Sequence, residues 1–160
     1  DNTESLATVR RVPNEPGMAA KVFTMLAEAG VNVDMIVQAS ASTGTADISF
    51  TVPGSAAAKV QEVLQEKQDE LGYQSFDIDA NVGKVAVVGV GMKTHSGLAA
   101  KFFNALSDKG VNVLMISTSE IRIAALVPLE QLQDAVRALH TAYGLDADQV
   151  EAVVYGGTGR

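Results

Sequence analysis

The sequence predicts an α+β fold built from two copies of one module, and three observations carry that prediction. The first is a repeat: residues 17–36 return as residues 97–116, with 12 of the 20 positions identical at an offset of 80. A period of that length is too long for one solenoid unit and about right for a small domain. The second is helical periodicity at the same place in each copy. The third is alternation in the segment that follows, where Ala46, Ile48, Phe50 and Val52 point one way and Thr45, Asp47, Ser49 and Thr51 the other. The copies divide the chain into residues 1–80 and 81–160.

Taken in order, each copy opens with a short strand, near 8–12 in the first and 84–90 in the second. A helix follows, with Ala19, Val22, Phe23 and Leu26 on one face, matched by Ala99, Phe102, Phe103 and Leu106. Asn14 and Thr94 precede these helices and are of the types that cap N-termini, and Pro16 suits a first turn. Gly30 and Gly110 follow the last helical turns, where glycine accepts a left-handed conformation. β-Branched stretches at 31–38 and 111–117 read as second strands. The turn Ser42-Thr43-Gly44 leads into the alternating strand 45–52, whose counterpart is 121–127. Second helices bury Ala57, Val60, Val63, Leu64 and Leu71 in one copy and Leu132, Ala135, Val136, Leu139 and Tyr143 in the other. Strands at 75–78 and 150–155 complete the set, and residues 156–160 read as a flexible end. Each copy is therefore βαββαβ, the ferredoxin-like pattern of a four-stranded antiparallel sheet with both helices on one face. Either late strand could complete either copy, so an exchanged edge strand stays open.

Composition narrows the function. Hydrophobic content of 47% with 19% charged residues describes a soluble globular protein. A net charge of −7 and no basic cluster argue against nucleic acid. No apolar run approaches the ~20 residues of a membrane span, and no secretory signal opens the chain. The absence of Cys excludes disulfides and thiolate metal sites and fits the cytoplasm. The chain starts at Asp1 rather than Met, so a fragment, a processed product or a trimmed chain is expected.

Catalytic chemistry is hard to find. Of the two histidines, His95 reads as a loop-ordering residue and His140 as a cation near a helix C-terminus. No set of ligands has metal spacing, and Gly89-Val-Gly91 lacks the rest of a phosphate loop and reads as a turn. The expectation is no catalytic residue, no metal and no cofactor. A binding site has better support. The helix starts near Gly17 and Gly97 offer N–H donors and a positive dipole end to a carboxylate. The second strands then differ: Asn32, Asp34, Ile36 and Gln38 share one face, against Asn112, Leu114, Ile116 and Thr118. The first copy thus carries a carboxylate and an amide that the second lacks. A carboxylate opposite an anion-binding helix end suits a zwitterion. The competing reading, Asp34 and Gln38 as solvated residues on an open sheet face, stays open at this point.

Paired βαββαβ modules of this kind resemble ACT domains. More closely, Val31-Asn-Val-Asp-Met-Ile-Val-Gln38, Ser117-Thr-Ser-Glu-Ile-Arg-Ile123 and Val154-Tyr-Gly-Gly-Thr-Gly-Arg160 resemble the C-terminal regulatory region of bacterial aspartokinase, over essentially the whole chain. The resemblance implies a regulatory β-subunit or an equivalent fragment, with no catalytic domain of its own. It would serve an enzyme that phosphorylates aspartate with ATP on the way to lysine, threonine and methionine. The partners implied are a second copy, paired first ACT domain to second, and the catalytic α-subunit. Threonine would bind at Asn14, Gly17, Ala19, Asp34 and Gln38, closed by Asn112 and Val113 of the other chain. A lysine site would lie near His95, Gly97, Ala99, Ser119 and Glu120. Three positions depart from the family pattern: Asn14 stands for Asp, Ala39 for Asn and Ser96 for Pro. The alternative is a structural dimerisation module without effector binding of its own.

Overall fold

The computed structural model describes residues 4–89, 97–119, 121–144 and 152–156. Two compact units emerge, Thr3–Ala80 and Asn81–Arg160. In the first, β1 (Glu4–Pro13), α1 (Met18–Glu28), β2 (Ile36–Ser40) and β3 (Thr45–Pro53) are followed by a 3-10 turn (Gly54–Ala56), α2 (Ala57–Glu66) and α3 (Gln68–Leu71). β4 (Ser75–Gly89) completes the first unit with its opening half and begins the second with its closing half. The second unit continues through α4 (Gly97–Asp108), β5 (Met115–Thr118), β6 (Arg122–Pro128), a 3-10 turn (Leu129–Gln131), α5 (Leu132–Gly144) and β7 (Ala152–Gly156).

The strand order in the first unit is β2-β3-β1-β4, and in the second β5-β6-β4-β7. Every pairing given by register is antiparallel. Each unit is therefore completed by the next strand along the chain. The expected gap between strands at 75–78 and 84–90 is absent. No turn-forming pair interrupts residues 79–83, and β4 runs through them.

The helices of each unit share one sheet face. Val22 and Leu26 of α1 and Val60 and Leu64 of α2 meet Ala7, Val9, Ile48 and Phe50 in one apolar core. Phe23 stands edge-on to Phe50 at 5.5 Å. In the second unit Phe102, Leu106, Leu132, Ala135 and Leu139 close over Val85, Val87, Ile123 and Ala125. At up to ~3 kcal/mol for each fully buried large apolar side chain, these two clusters are the main favourable term.

Local chemistry decides the ends. Gly30 and Gly110 both turn left-handed after their helices (φ 81° and 70°). In each, the glycine N–H donates back three residues and the following valine N–H five, to Leu26 and Leu106 carbonyls. The N-terminus of α1 departs from expectation. Its cap is Gly17, itself left-handed (φ 91°), with no side-chain cap bond, and Pro16 precedes the cap. Asn14 turns instead toward β2. Thr94, His95 and Gly91 lie outside the described residues.

Three further differences have physical causes. The second strand begins at Ile36, not at residue 31, because Thr51 interrupts the ladder. Its hydroxyl accepts from Met35 N–H (2.9 Å) and its carbonyl from Asp34 N–H (3.0 Å). For the same reason Thr51 is fully buried rather than solvent-facing. The second helix of the first unit breaks at Lys67, and the Tyr73 hydroxyl takes one of the carbonyls of α2's last turn, that of Leu64 (2.5 Å).

Candidate functional site

β1 ends in a bulge. Its register with β3 shifts between Val9 and Val12, and Arg11 adopts φ 58°, an uncommon conformation for a residue with a Cβ. The Asp47 carboxylate accepts the Arg11 N–H at 2.9 Å, and Arg10 pairs with Asp77. Pro13 ends β1, and residues 14–17 lead into α1, which left-handed Gly17 starts.

A cleft of about 480 Å³ lies there, lined by β1's end, the Asn14–Gly17 turn, the first turn of α1, Gln38, Ala46 and Ile48. Small-molecule sites span about 300–1,000 Å³. Its walls combine apolar Val12, Met18 and Ile48 with polar Asn14, Glu15 and Gln38. Period-2 pairing brings Gln38 to this face, since Gln38 opposes buried Ile48 and Ser40 opposes buried Ala46. The Gln38 amide donates to Asn14 Oδ1 (3.4 Å), and the Asn14 amide donates to Ser40 Oγ (3.2 Å). Asn14 N–H is fixed on the Gly44 carbonyl (3.0 Å). On the helix side, Met18 N–H bonds Glu15 O, while Ala19 and Ala20 sit where a helix leaves N–H groups without an intrahelical acceptor. A Cβ at Gly17 would meet nothing within 4 Å, so the approach to this backbone is open. The helix start can thus receive a carboxylate, and Asn14 and Gln38 present amide groups to the same cleft.

The fold therefore gathers Asn14, Gly17, Ala19 and Gln38 into one cleft. Asp34 is exposed and outside its lining, in the irregular stretch before β2. Asn112 and Val113 are exposed in the second unit, on the loop between α4 and β5. Of the residues named for lysine, Gly97 and Ala99 lie exposed in the first turn of α4, and exposed Ser119 follows β5. Ser119 N–H donates to Arg122 O, and its hydroxyl accepts from Ile121 N–H (3.4 Å). His95 and Glu120 lie outside the described residues. The start of α4 is pinned by Tyr143 of α5, whose hydroxyl donates to Leu98 O at 2.6 Å. Burial pushes that phenol up to about 12, and Lys101 Nζ stands 5.1 Å from its ring centre.

Two polar residues escaped the sequence reading. Ser40 was within reach of it, being two positions beyond Gln38 on the same strand face. Gln131 was not, because its partners lie across the second unit. Its Oε1 accepts from Asn112 N–H (2.8 Å) and its Nε2 donates to Gly110 O (3.1 Å). Among the described residues no cluster of His, Cys, Asp or Glu could hold a metal. Among the same residues no helix is long and apolar enough to cross a membrane.

Comparison with known proteins agrees with this architecture. Residues 10–68 and 85–143 each match the ACT domain family. Aspartokinase of Corynebacterium efficiens is 46% identical over 162 aligned positions, which take in the whole of this chain and 38% of that protein. The chain thus spans well under half the length of such relatives. In the crystal structure of aspartokinase alpha and beta subunits, a chain superposes with a TM-score of 0.83 at 42% identity, covering 90% of this chain and 95% of that one. The ligand-free regulatory subunit of aspartate kinase from Thermus thermophilus gives 0.83 at 36% identity, over 89% and 94%. With both units matching one family and nearly the full length of a regulatory chain matched in fold and sequence, this chain belongs to the ACT domain family, among the regulatory regions of aspartokinase.

Proposed function

We propose that this chain senses threonine in the cleft of its first unit and thereby restrains the phosphorylation of aspartate by a catalytic aspartokinase chain in the cytoplasm. The observation that carries this reading is the cleft itself. A helix N-terminus opened by left-handed Gly17 shares with Asn14 and Gln38 a volume suited to a small molecule, and Ser40 holds the Asn14 amide. The α-carboxylate of the effector takes the N–H groups near Ala19, and its hydroxyl and ammonium take the amide wall. Asp34 adds a carboxylate beyond the rim, and Asn112 and Val113 of a second copy close the mouth. Lysine binds separately, near Gly97, Ala99 and Ser119, with His95 and Glu120 completing that site.

Exposed apolar side chains support pairing between copies: Ile36 and Val37 on β2, Ile116 on β5, and Val113 and Leu114 on the loop before β5. The same residues favour the second reading, a structural dimerisation module that binds no effector. In the first reading the effector shifts a population between assembled states. It can do so only by as much as it prefers one of them.

Isothermal calorimetry of threonine into the chain, with and without lysine, tests this alongside light scattering. One threonine per chain, bound together with dimer formation and weakened about tenfold or more in Gln38→Leu, is the expected result. Dimers that take up neither amino acid at millimolar concentration would leave the structural reading in place.

A further inference from the structure

The position of Gln131 points to a role that we infer for it: it is a positioning residue that holds the Asn112–Val113 loop in its binding geometry before any partner or ligand arrives. This rests on the reading that the loop closes the threonine cleft of a second copy.

The side-chain amide of Gln131 bonds the two backbone groups that flank Val111, the Gly110 carbonyl at 3.1 Å and the Asn112 N–H at 2.8 Å. One donor and one acceptor in a planar amide thus serve Gly110 and Asn112 as a neighbouring strand would. The loop is fixed at its other points too. Gly110 is left-handed, Val111 is buried, and Leu114 N–H donates to Leu126 O at 2.7 Å. Gln131 is itself set in place. It ends the 3-10 turn after Pro128, and the next residue, Leu132, is buried in the core.

Between buried Val111 and buried Met115 the loop presents three exposed residues in a row, Asn112, Val113 and Leu114. Exposed apolar side chains on an immobilised backbone are what a docking segment requires, because the ordering cost of association has been removed in advance. The first unit lacks the device. The residue in the same place, last in the 3-10 turn after Pro53, is Ala56, which has no group to reach Gly30 or Asn32. Among the described residues, the first unit carries this cleft and the second this fixed loop.

The test is calorimetry of threonine into the wild-type chain, Gln131→Met and Gln131→Glu, with thermal unfolding and amide exchange at Asn112. Methionine keeps the volume and removes both bonds. Glutamate keeps the acceptor for Asn112 N–H and sets a second acceptor against the Gly110 carbonyl. Q131M should weaken threonine binding about tenfold and speed exchange at Asn112 by a similar factor, with Tm within about 2 °C of wild type. Q131E should fall between the two. Wild-type affinity in Q131M, with exchange at Asn112 accelerated, overturns the inference and leaves the threonine reading intact. A wild-type chain that takes up no threonine overturns that reading first, and this inference with it.

Discussion

The two units began as one sequence and now differ in where their polar groups are used. In the first, Asn14 and Gln38 line a cleft beside a helix start, and Ser40 holds the Asn14 amide. In the second, Gln131 bonds the backbone of Gly110 and Asn112 and holds a loop. What is common to both is the frame: the glycine-terminated first helix, the buried aromatic on sheet or helix, the alternating central strand. Even shared residue types have parted. Tyr73 closes a carbonyl of the helix before it in the chain, whereas Tyr143 reaches across to α4. α5 accordingly runs unbroken where α2 and α3 are separated at Lys67. After duplication, packing positions can change little without loss of the fold. Positions at strand edges and loops are free to take up binding or bracing.

The comparison breaks hardest at the cores. Phe50→Ala and Phe102→Ala each remove a fully buried ring and should destabilise their own unit by about 3–5 kcal/mol. Urea unfolding followed by amide exchange would locate the loss, and protection lost equally in both units by either variant would contradict two separate cores. Next comes Gly83→Ala. Its Cβ would lie 2.8 Å from Leu132 Cδ2 in the core of the second unit, a clash expected to reduce stability by about 1–3 kcal/mol. Denaturant midpoints measure this, and an unchanged midpoint would mean that Leu132 can move aside.

Tyr143→Phe leaves the Leu98 carbonyl without its buried donor and should lower stability by about 1–2 kcal/mol. This residue also sets a pH window. Its folded pKa is raised by burial from 10.0 to about 12. The raised value means that the folded state holds the proton more tightly. The contribution is therefore complete below about pH 10 and is lost as pH climbs toward 12. Alkaline unfolding of wild type and Y143F should diverge below that window and converge above it.

Smaller effects sharpen the likeness. Gly30→Ala and Gly110→Ala both force a Cβ into a left-handed turn, and each should remove about 1 kcal/mol. Equal losses in thermal melts would mark the two turns as equivalent, and a clear inequality would mean that one has acquired another support. Arg11→Gly should act in the opposite sense, stabilising by about 0.5 kcal/mol. It relieves φ 58° and keeps the N–H that bonds Asp47. A loss of stability there would place the Arg11 side chain, not its backbone, at the centre of the bulge.

Much of this was legible along the chain, and particular residues show why. Gly30 and Gly110 could be placed because a left-handed helix end is a local event, decided by a few consecutive residues. The inward set Ala46, Ile48, Phe50 and Val52 followed from alternation alone. Asn14 illustrates the limit. Its type and place suit a helix cap, a local role, yet its amide is engaged by Gln38 and Ser40, which lie 24 and 26 residues away. Asp34 was placed on one strand face with Gln38. The buried Thr51 hydroxyl takes the N–H of Met35 and delays the strand to Ile36, leaving Asp34 outside the cleft lining.

By itself the sequence determined the duplication, the βαββαβ order of each copy, the buried faces and the glycine turns. All of these rest on periodicity and on backbone freedom, which neighbouring residues decide. Tertiary structure alone decided which strand completes which unit, that β4 runs unbroken through the boundary, that Gln38 rather than Asp34 lines the cleft, and that Gln131 braces the loop at Asn112. Each of these depends on a hydrogen bond or a packing contact between residues distant in the chain. Such pairings are fixed only when the core has closed and brought those residues together.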